Sequence, residues 1–432
     1  MRHWEHFQTN EPIRFRSQLL SFCQLYKQFA FLDSCGNHVY GETTFDVLAG
    51  VGRLDEVVAS AGEAFQAFNQ FRRKHHDWMF GFFAYDLKNE VEVLHSEGYD
   101  GISLPDMIYF VPSILVRIKN NVVEIGTTVP IQQVIWEQIC SMPEQTEEQI
   151  DQQMMMHPRI SKAAYLDIID KIRNHIIHGD IYEMNFCQEF YAEKVQLNPF
   201  TTFDRLCRKS KAPFSVLFGW NDHYLISASP ERFLRKRGKV LQSQPIKGTR
   251  RRSAGEDDRK WKEDLAASVK DRAEHIMIVD LVRNDLTPFA RTGSVGVDEL
   301  MGIYSFEQVH QMVSTISAEL KDDADVVPAV KQAFPMGSMT GAPKVKAMQL
   351  IEQYEPTKRG VFSGAFGYWT PENDFDLNVV IRSMLYNSKS RYLSIQVGGA
   401  IVYDSDPMQE FEECLLKASA LFDILQAKLI QQ

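Results

Sequence analysis

The feature that most constrains the fold is a succession of short apolar runs joined by tight-turn signals in the second half of the 432-residue chain. Ser215–Phe218 and Tyr224–Ser227 flank Asn221-Asp222, and Phe233–Arg235 and Val240–Gln244 flank Arg237-Gly238. Val361–Trp369, Asn378–Tyr386 and Tyr392–Val397 then follow one another. Such connections are too short for the crossover of about ten or more residues that parallel neighbours require, so the strands must pair antiparallel. An α+β architecture is therefore expected rather than a doubly wound sheet. In the first half, Trp78–Tyr85 reads as a buried strand, and Tyr109–Val116 with Val122–Thr127 as a hairpin around Lys119-Asn120-Asn121. The spacing predicts helices over about 162–178, stopped near Gly179, and over roughly 257–286, 343–354 and 407–428. A polar, Met-rich stretch at 142–160 suggests a division into residues 1–150 and 160–428.

Composition narrows the function classes. Apolar residues make up 44% and charged residues 24%, as in an ordinary globular protein. The 47 Lys and Arg against 57 Asp and Glu leave a net charge of −10, which disfavours a general nucleic-acid or anionic-membrane binder. An anionic small substrate stays open, since a few local cations suffice for one. The six cysteines (Cys23, Cys35, Cys140, Cys187, Cys207 and Cys414) form no CxxC pair, against both a zinc site and a disulfide scaffold. No apolar run follows the first residues, and none approaches the roughly 18 residues of a membrane helix. A cytoplasmic protein is expected.

Four constellations offer chemistry. In the last predicted helix Asp406 reads as N-cap, Pro407 as first residue and Gln409 as the third position of a capping box. Met408, Phe411, Leu415, Ala418, Phe422 and Leu425 form an apolar stripe, and Glu410, Glu413 and Lys417 repeat on the opposite face. That face is either a solvated surface with an ion pair or a pair of carboxylates for Mg²⁺ with a cation above them. Second, Glu274 opens an apolar helical run with Ile276 to Val279, so it and Asp280, Arg283 and Asp285 should be buried with partners or a metal. Third, Gly337 to Lys344 and Val397-Gly398-Gly399-Ala400 let backbone approach a ligand. Fourth, Lys247 is either a surface lysine at a turn or, if buried near other cations, a nucleophile with a lowered pKa. The basic run Arg250-Arg251-Arg252 after it reads as a solvated loop.

Several segments together resemble the chorismate-utilising enzymes. They are Gly179 to Asn185, Ser229-Pro230-Glu231-Arg232-Phe233, Pro245-Ile246-Lys247-Gly248-Thr249, and Glu274-His275 through Leu286. Gly337 to Lys344, Gly364 to Tyr368, Ile381-Arg382-Ser383 and Gly398 to Lys417 complete the order over about 160–425. Residues 1–150 are similar more faintly, through Phe31-Leu32-Asp33-Ser34 and Gly81 to Asp86. The resemblance implies two large antiparallel sheets packed face to face with helices outside, and an active site between them.

The resemblance also implies roles. Glu274 and Glu413 would bind Mg²⁺, with Glu410 acting through water. Arg382 and Lys417 would hold substrate carboxylates, and Gly248, Thr249, Thr340, Gly398, Gly399 and Ala400 would line the site. Glu231 would be the general acid and Lys247 the nucleophile that adds to C2 of chorismate. A lysine at 247 resembles the aminodeoxychorismate synthase branch, which makes 4-amino-4-deoxychorismate for para-aminobenzoate and folate synthesis. Anthranilate synthase large subunits typically carry alanine there and remain the alternative. Ammonia would come from a separate glutamine amidotransferase subunit, because no glutaminase motif or length for that domain is seen. Glu183 departs from the family's usual glutamine, and water-activating members carry lysine there. Ser34, Pro213, Phe214 and Ser215 resemble a tryptophan pocket that some members keep, though tryptophan binding does not follow from that likeness.

Overall fold

The protein is described by a computed structural model that covers residues 2–40, 44–146, 153–253, 255–322 and 324–430. The turn signals close where backbone enters the left-handed region: Asn120 (φ 53°), Asn221 (φ 53°) and Gly238 (φ 55°) each sit in a hairpin turn. The hairpins assemble into a 13-stranded and a 10-stranded sheet. Their ladders are antiparallel as expected, apart from Lys428–Leu429, which pairs in parallel with Met155 and Met156.

The sheets pack face to face. Phe80, Phe82, Ile108 and Phe110 of the smaller sheet meet Ala30, Leu115, Val216 and Phe218 of the larger one. Alternate residues Met79 and Phe83 point the other way, against Phe65 and Phe68 of helix Ala64–Lys74. The strand Met79–Phe83 is thus buried on both faces, so its sequence shows a continuous apolar run instead of alternation. Helices Pro12–Cys23, Lys162–Ile177, Pro199–Ser210 and Pro407–Leu425 cover the outer face of the larger sheet.

Two runs that read as single strands are each split between sheets. Met107–Val111 lies in the smaller sheet, and beyond Pro112 the strand Ile114–Lys119 lies in the larger. Phe375–Val379 and Ser383–Asn387 divide likewise at Arg382, whose φ is 52°. Both halves are buried, so hydropathy carries no mark of the crossing. Of Val361–Trp369 only Ala365–Trp369 is strand. The predicted helix 257–286 is two, Glu256–Ala267 and Val269–Leu286, because the Ser268 hydroxyl caps the second by accepting from Asp271 N (3.3 Å).

Residues 1–150 and 160–428 share both sheets: Gln28–Asp33 pairs with Phe214–Trp220, and Met79–Phe83 with Ala365–Trp369. The stretch at 142–160 is therefore a connection within one structure rather than a joint between two; its residues 147–152 lie outside the described residues. Among the described residues no helix is long and apolar enough to cross a membrane.

Candidate active site

The site begins with a bulge. Lys247 lies in strand Ile246–Arg251, opposite Met312 of strand Val309–Glu319, and the register slips before Thr249 meets Gln311. Gly248 fills the slip with φ +81°, and a Cβ there would come within 3.1 Å of Asp271. The Lys247 side chain reaches across to the larger sheet, where Glu183 opens strand Glu183–Ala192. The ammonium donates to Glu183 Oε1. Glu183 is fully buried and Lys247 is 8% exposed, which excludes a surface lysine. Behind it, His275 shares a 2.7 Å hydrogen bond with Ser314. Burial, then the Lys247 charge, push its pKa down to about 4. That imidazole is neutral at physiological pH and adds no cation.

The electrostatics around Lys247 reverse the expectation of neighbouring cations. Burial alone would lower its pKa, but Glu183, and behind it Glu274 and Glu231, outweigh burial and raise it. The resting lysine is therefore a protonated partner of a carboxylate. The basic run is only partly a solvated loop: Arg251 and Arg252 are exposed and Arg252 lies past the strand, but Arg250 is half-buried within it. Arg250 lies in the lysine's own strand and pairs with Asp264 (2.6 Å) and Asp271 (2.9 Å). Arg252, just beyond it, pairs with Asp258 (3.3 Å).

Glu231 lies close to the lysine on the smaller sheet. It is buried, and Ser338 Oγ donates to its Oε1 at 2.7 Å. Burial pushes its pKa up to about 7, against the opposing pull of Ser338 and Lys247. Burial thus favours the protonated form, as a general acid requires. Thr340, in the same glycine-rich turn, is fully buried and its hydroxyl donates to Met336 O at 3.2 Å, so it braces the turn. Thr249 is exposed.

The third wall is helix Pro407–Leu425. Asp406 caps it as predicted, accepting from Met408 N (3.0 Å) and Gln409 N (2.9 Å). Its buried face carries Phe411, Cys414, Ala418, Leu421 and Leu425, while Met408 is exposed, so the stripe is rotated from the predicted one. Glu410 is buried and accepts from Ser405 Oγ at 2.7 Å. Glu413 and Lys417 pair at 2.7 Å, and Lys417 also donates to Gly398 O at 2.9 Å. A Cβ on Gly399 would lie 3.3 Å from Glu410 Oε2 and 3.4 Å from Lys417 Nζ. Glycine thus lets the polar face of this helix sit directly on the strand that ends at Ala400 and Ile401. Arg382 donates to Lys417 O at 2.9 Å, which leaves the rest of its guanidinium for another acceptor.

Glu274 lies on helix Val269–Leu286. That helix is not buried on most sides: Ile276 is 47% exposed, and Asp280 and Arg283 form an exposed pair at 2.8 Å. Only one face packs, so those charges need no metal. Asp285 pairs with Lys344 at 3.2 Å. Glu274 differs: burial, with Glu183 adding to it, pushes its pKa up to about 7. Lys270 Nζ stands 3.9 Å away, and its charge also reaches Glu410 and Glu413. The donor set of Glu274, Glu410 and Glu413 is all carboxylate, which suits a hard divalent cation such as Mg²⁺. Among the described residues their oxygens do not all lie within 4.8 Å of one another, so they form no ready-made three-carboxylate cluster. Of the residues that support this site, Ser338, Ser405 and Lys270 were not singled out from the sequence. Glu183 was noted only as a departure.

Ser34, Pro213, Phe214 and Ser215 come together elsewhere, around a cavity of about 90 Å³ shared with Tyr40 and Arg232. Arg232 lies 4.8 Å over the Phe214 ring and pairs with Asp376 at 2.8 Å.

The chorismate binding enzyme family matches residues 33–423. An aminodeoxychorismate synthase of Streptomyces griseus is 44% identical over 271 residues, which are 62% of this chain and 37% of that longer protein. Aminodeoxychorismate synthase component 1 of Bacillus subtilis (strain 168) is 28% identical over 442 residues, covering 94% of this chain and 93% of that one. In fold, anthranilate synthase component I of Streptococcus pneumoniae superposes with a TM-score of 0.78 at 24% identity, over 92% of each chain. With the family match spanning nearly its whole length, this chain belongs to the chorismate binding enzymes.

Proposed function

We propose that the chain converts chorismate and ammonia into 4-amino-4-deoxychorismate through a covalent bond between Lys247 and the substrate. The observation that carries this reading is a buried lysine beside a buried Glu231, both on the smaller sheet, with burial favouring the protonated form of that carboxyl. Arg382 and Lys417 bind the substrate carboxylates, Arg382 with the forked geometry that suits them. Glu231 delivers its proton to the departing 4-hydroxyl as Lys247 adds to C2. Ammonia then enters at C4 and displaces the lysine, so two allylic displacements put nitrogen where oxygen was. Glu274 and Glu413, with Glu410, would hold Mg²⁺, whose charge would fix the ring carboxylate. A glutamine amidotransferase subunit is proposed as the ammonia source, and the cytoplasm as the place of action.

The test is mass spectrometry of the product from purified protein, chorismate, Mg²⁺ and ammonium salt at mildly alkaline pH. A pyruvyl ether carrying the new amine is expected, and adding the pyridoxal phosphate-dependent lyase should convert it to para-aminobenzoate. Anthranilate as the main product would overturn the reading. So would no turnover both with ammonium and with an amidotransferase subunit.

A further inference from the structure

Lys247 cannot add to a carbon while it is protonated, because the ammonium has no lone pair. Its side chain is only 8% exposed, and the groups facing it are few. Glu231 and Glu274 act on it by charge, His275 lies behind it, and Glu183 alone is hydrogen-bonded to Nζ. Lys270 and Asp271 stand further off, around Glu274. The alternative acceptors are worse placed. Glu231 must already hold the proton destined for the leaving oxygen, and Glu274 is assigned to the proposed cation. His275 pairs through Nε2 with Ser314, and its unpartnered Nδ1 makes no hydrogen bond to Nζ. Glu183 is fully buried at the first residue of its strand, and its Oε2 has no hydrogen-bond partner. One oxygen holds the lysine and the other is free, as befits a group that takes a proton without letting go.

We propose that Glu183 is the base that unmasks Lys247, a catalytic residue in direct contact with the reacting nitrogen. The inference rests on the function proposed above. The proton passes from Nζ to the Glu183 carboxylate. The freed pair forms the N–C2 bond, both ring double bonds shift (to C1=C6 and C4=C5), and the C4–O bond breaks as the Glu231 proton goes to oxygen and water leaves. When ammonia bonds to C4, the N–C2 pair returns to Nζ. The new C4 ammonium then returns a proton to Glu231, and Glu183 returns its proton to the lysine. The sum is chorismate plus ammonia giving aminodeoxychorismate plus water, with every protein group restored.

The test compares the wild type with Glu183→Gln, which keeps shape and hydrogen bonding but accepts no proton. Turnover should fall by roughly 100-fold or more near pH 7, the scale of one general base. The KM for chorismate should change little. With no internal acceptor in the variant, the ratio of its kcat to that of the wild type should climb about tenfold per pH unit from pH 6 to 9, the Glu231 limb being common to both. A second readout is independent of turnover: reductive methylation of Lys247 followed by peptide mass spectrometry. Removing the carboxylate frees the amine, so the pH midpoint of labelling should drop in Glu183→Gln. Wild-type kcat with a wild-type pH profile in that variant overturns the inference while leaving the proposed function standing. An unmoved labelling midpoint overturns it as well. Failure of the wild type to form the 4-amino product overturns both.

Discussion

The inner faces of the two sheets meet in two places with opposite chemistry. Around Phe80, Phe82, Phe110, Phe218 and Phe366 the contact is aromatic, with Phe82 and Phe218 edge to face at 5.8 Å. At Lys247 and Glu183 the same two sheets touch through one ion pair. The aromatic contact stabilises by removing apolar area from water, about 25 cal/mol per Å². The ion pair first costs the desolvation of two charges, and replacing such a pair by apolar residues is often neutral or stabilising. Its place in the interior is therefore explained by chemistry, and the rings by folding. A variant that breaks one contact should leave the function of the other largely intact.

The sharpest separation comes from Lys247→Ala. Turnover should fall by about 10⁴-fold, the upper end for one catalytic group. The orphaned Glu183 carboxylate should cost roughly 3–5 kcal/mol in denaturant unfolding. Pairing it with Glu183→Leu should recover stability without activity. Phe82→Ala should do the converse, losing about 3–5 kcal/mol of stability while the folded fraction keeps its kcat. Loss of kcat in proportion to stability would show that the two contacts are not separable.

Glu231→Gln should lower kcat by roughly 10²–10³-fold. In the wild type the Glu231 acid, with a pKa of about 7, should impose a falling limb above neutrality that the variant lacks. Stability follows the same groups with a definite sign. Glu231 and Glu274 have folded pKa values of about 7 against 4.5 for the free side chain. The folded state then binds more protons, so their contribution is full below pH 4.5 and lost as pH rises through 7. Added Mg²⁺ should restore stability at pH 8 and hardly at pH 5, read by thermal unfolding at the two pH values. The smallest effect is expected for Ser338→Ala. Removing one 2.7 Å hydrogen bond from Glu231 should cost a few-fold in kcat and move the alkaline limb upward, because that donor stabilises the charged form.

The sequence was most readable where a local signal decides structure. Asp406 caps its helix through its own side chain, and Asn221 and Gly238 turn hairpins, whereas the cap at Ser268 stayed hidden inside a continuous helical pattern. It was least readable where the decision is tertiary. Pro112 and Arg382 carry the chain between sheets inside runs that are apolar on both sides. The Lys247 environment follows the same division. The PIKGT segment marked the residue, but its charge state depends on Glu183, 64 positions away and on the other sheet. The resemblance ordered the site's segments along the chain, whereas the serines that tune Glu231 and Glu410 emerge only from distances.

The most direct measurement is to mix the protein with chorismate and Mg²⁺ in the absence of ammonia, quench rapidly, and map the peptides by mass spectrometry. The account predicts chorismate less one water attached to the peptide at Lys247, absent from Lys247→Ala and discharged when ammonium is added. A protein that turns chorismate over with ammonia while Lys247 stays unmodified, or whose Lys247→Ala variant keeps its rate, would contradict it.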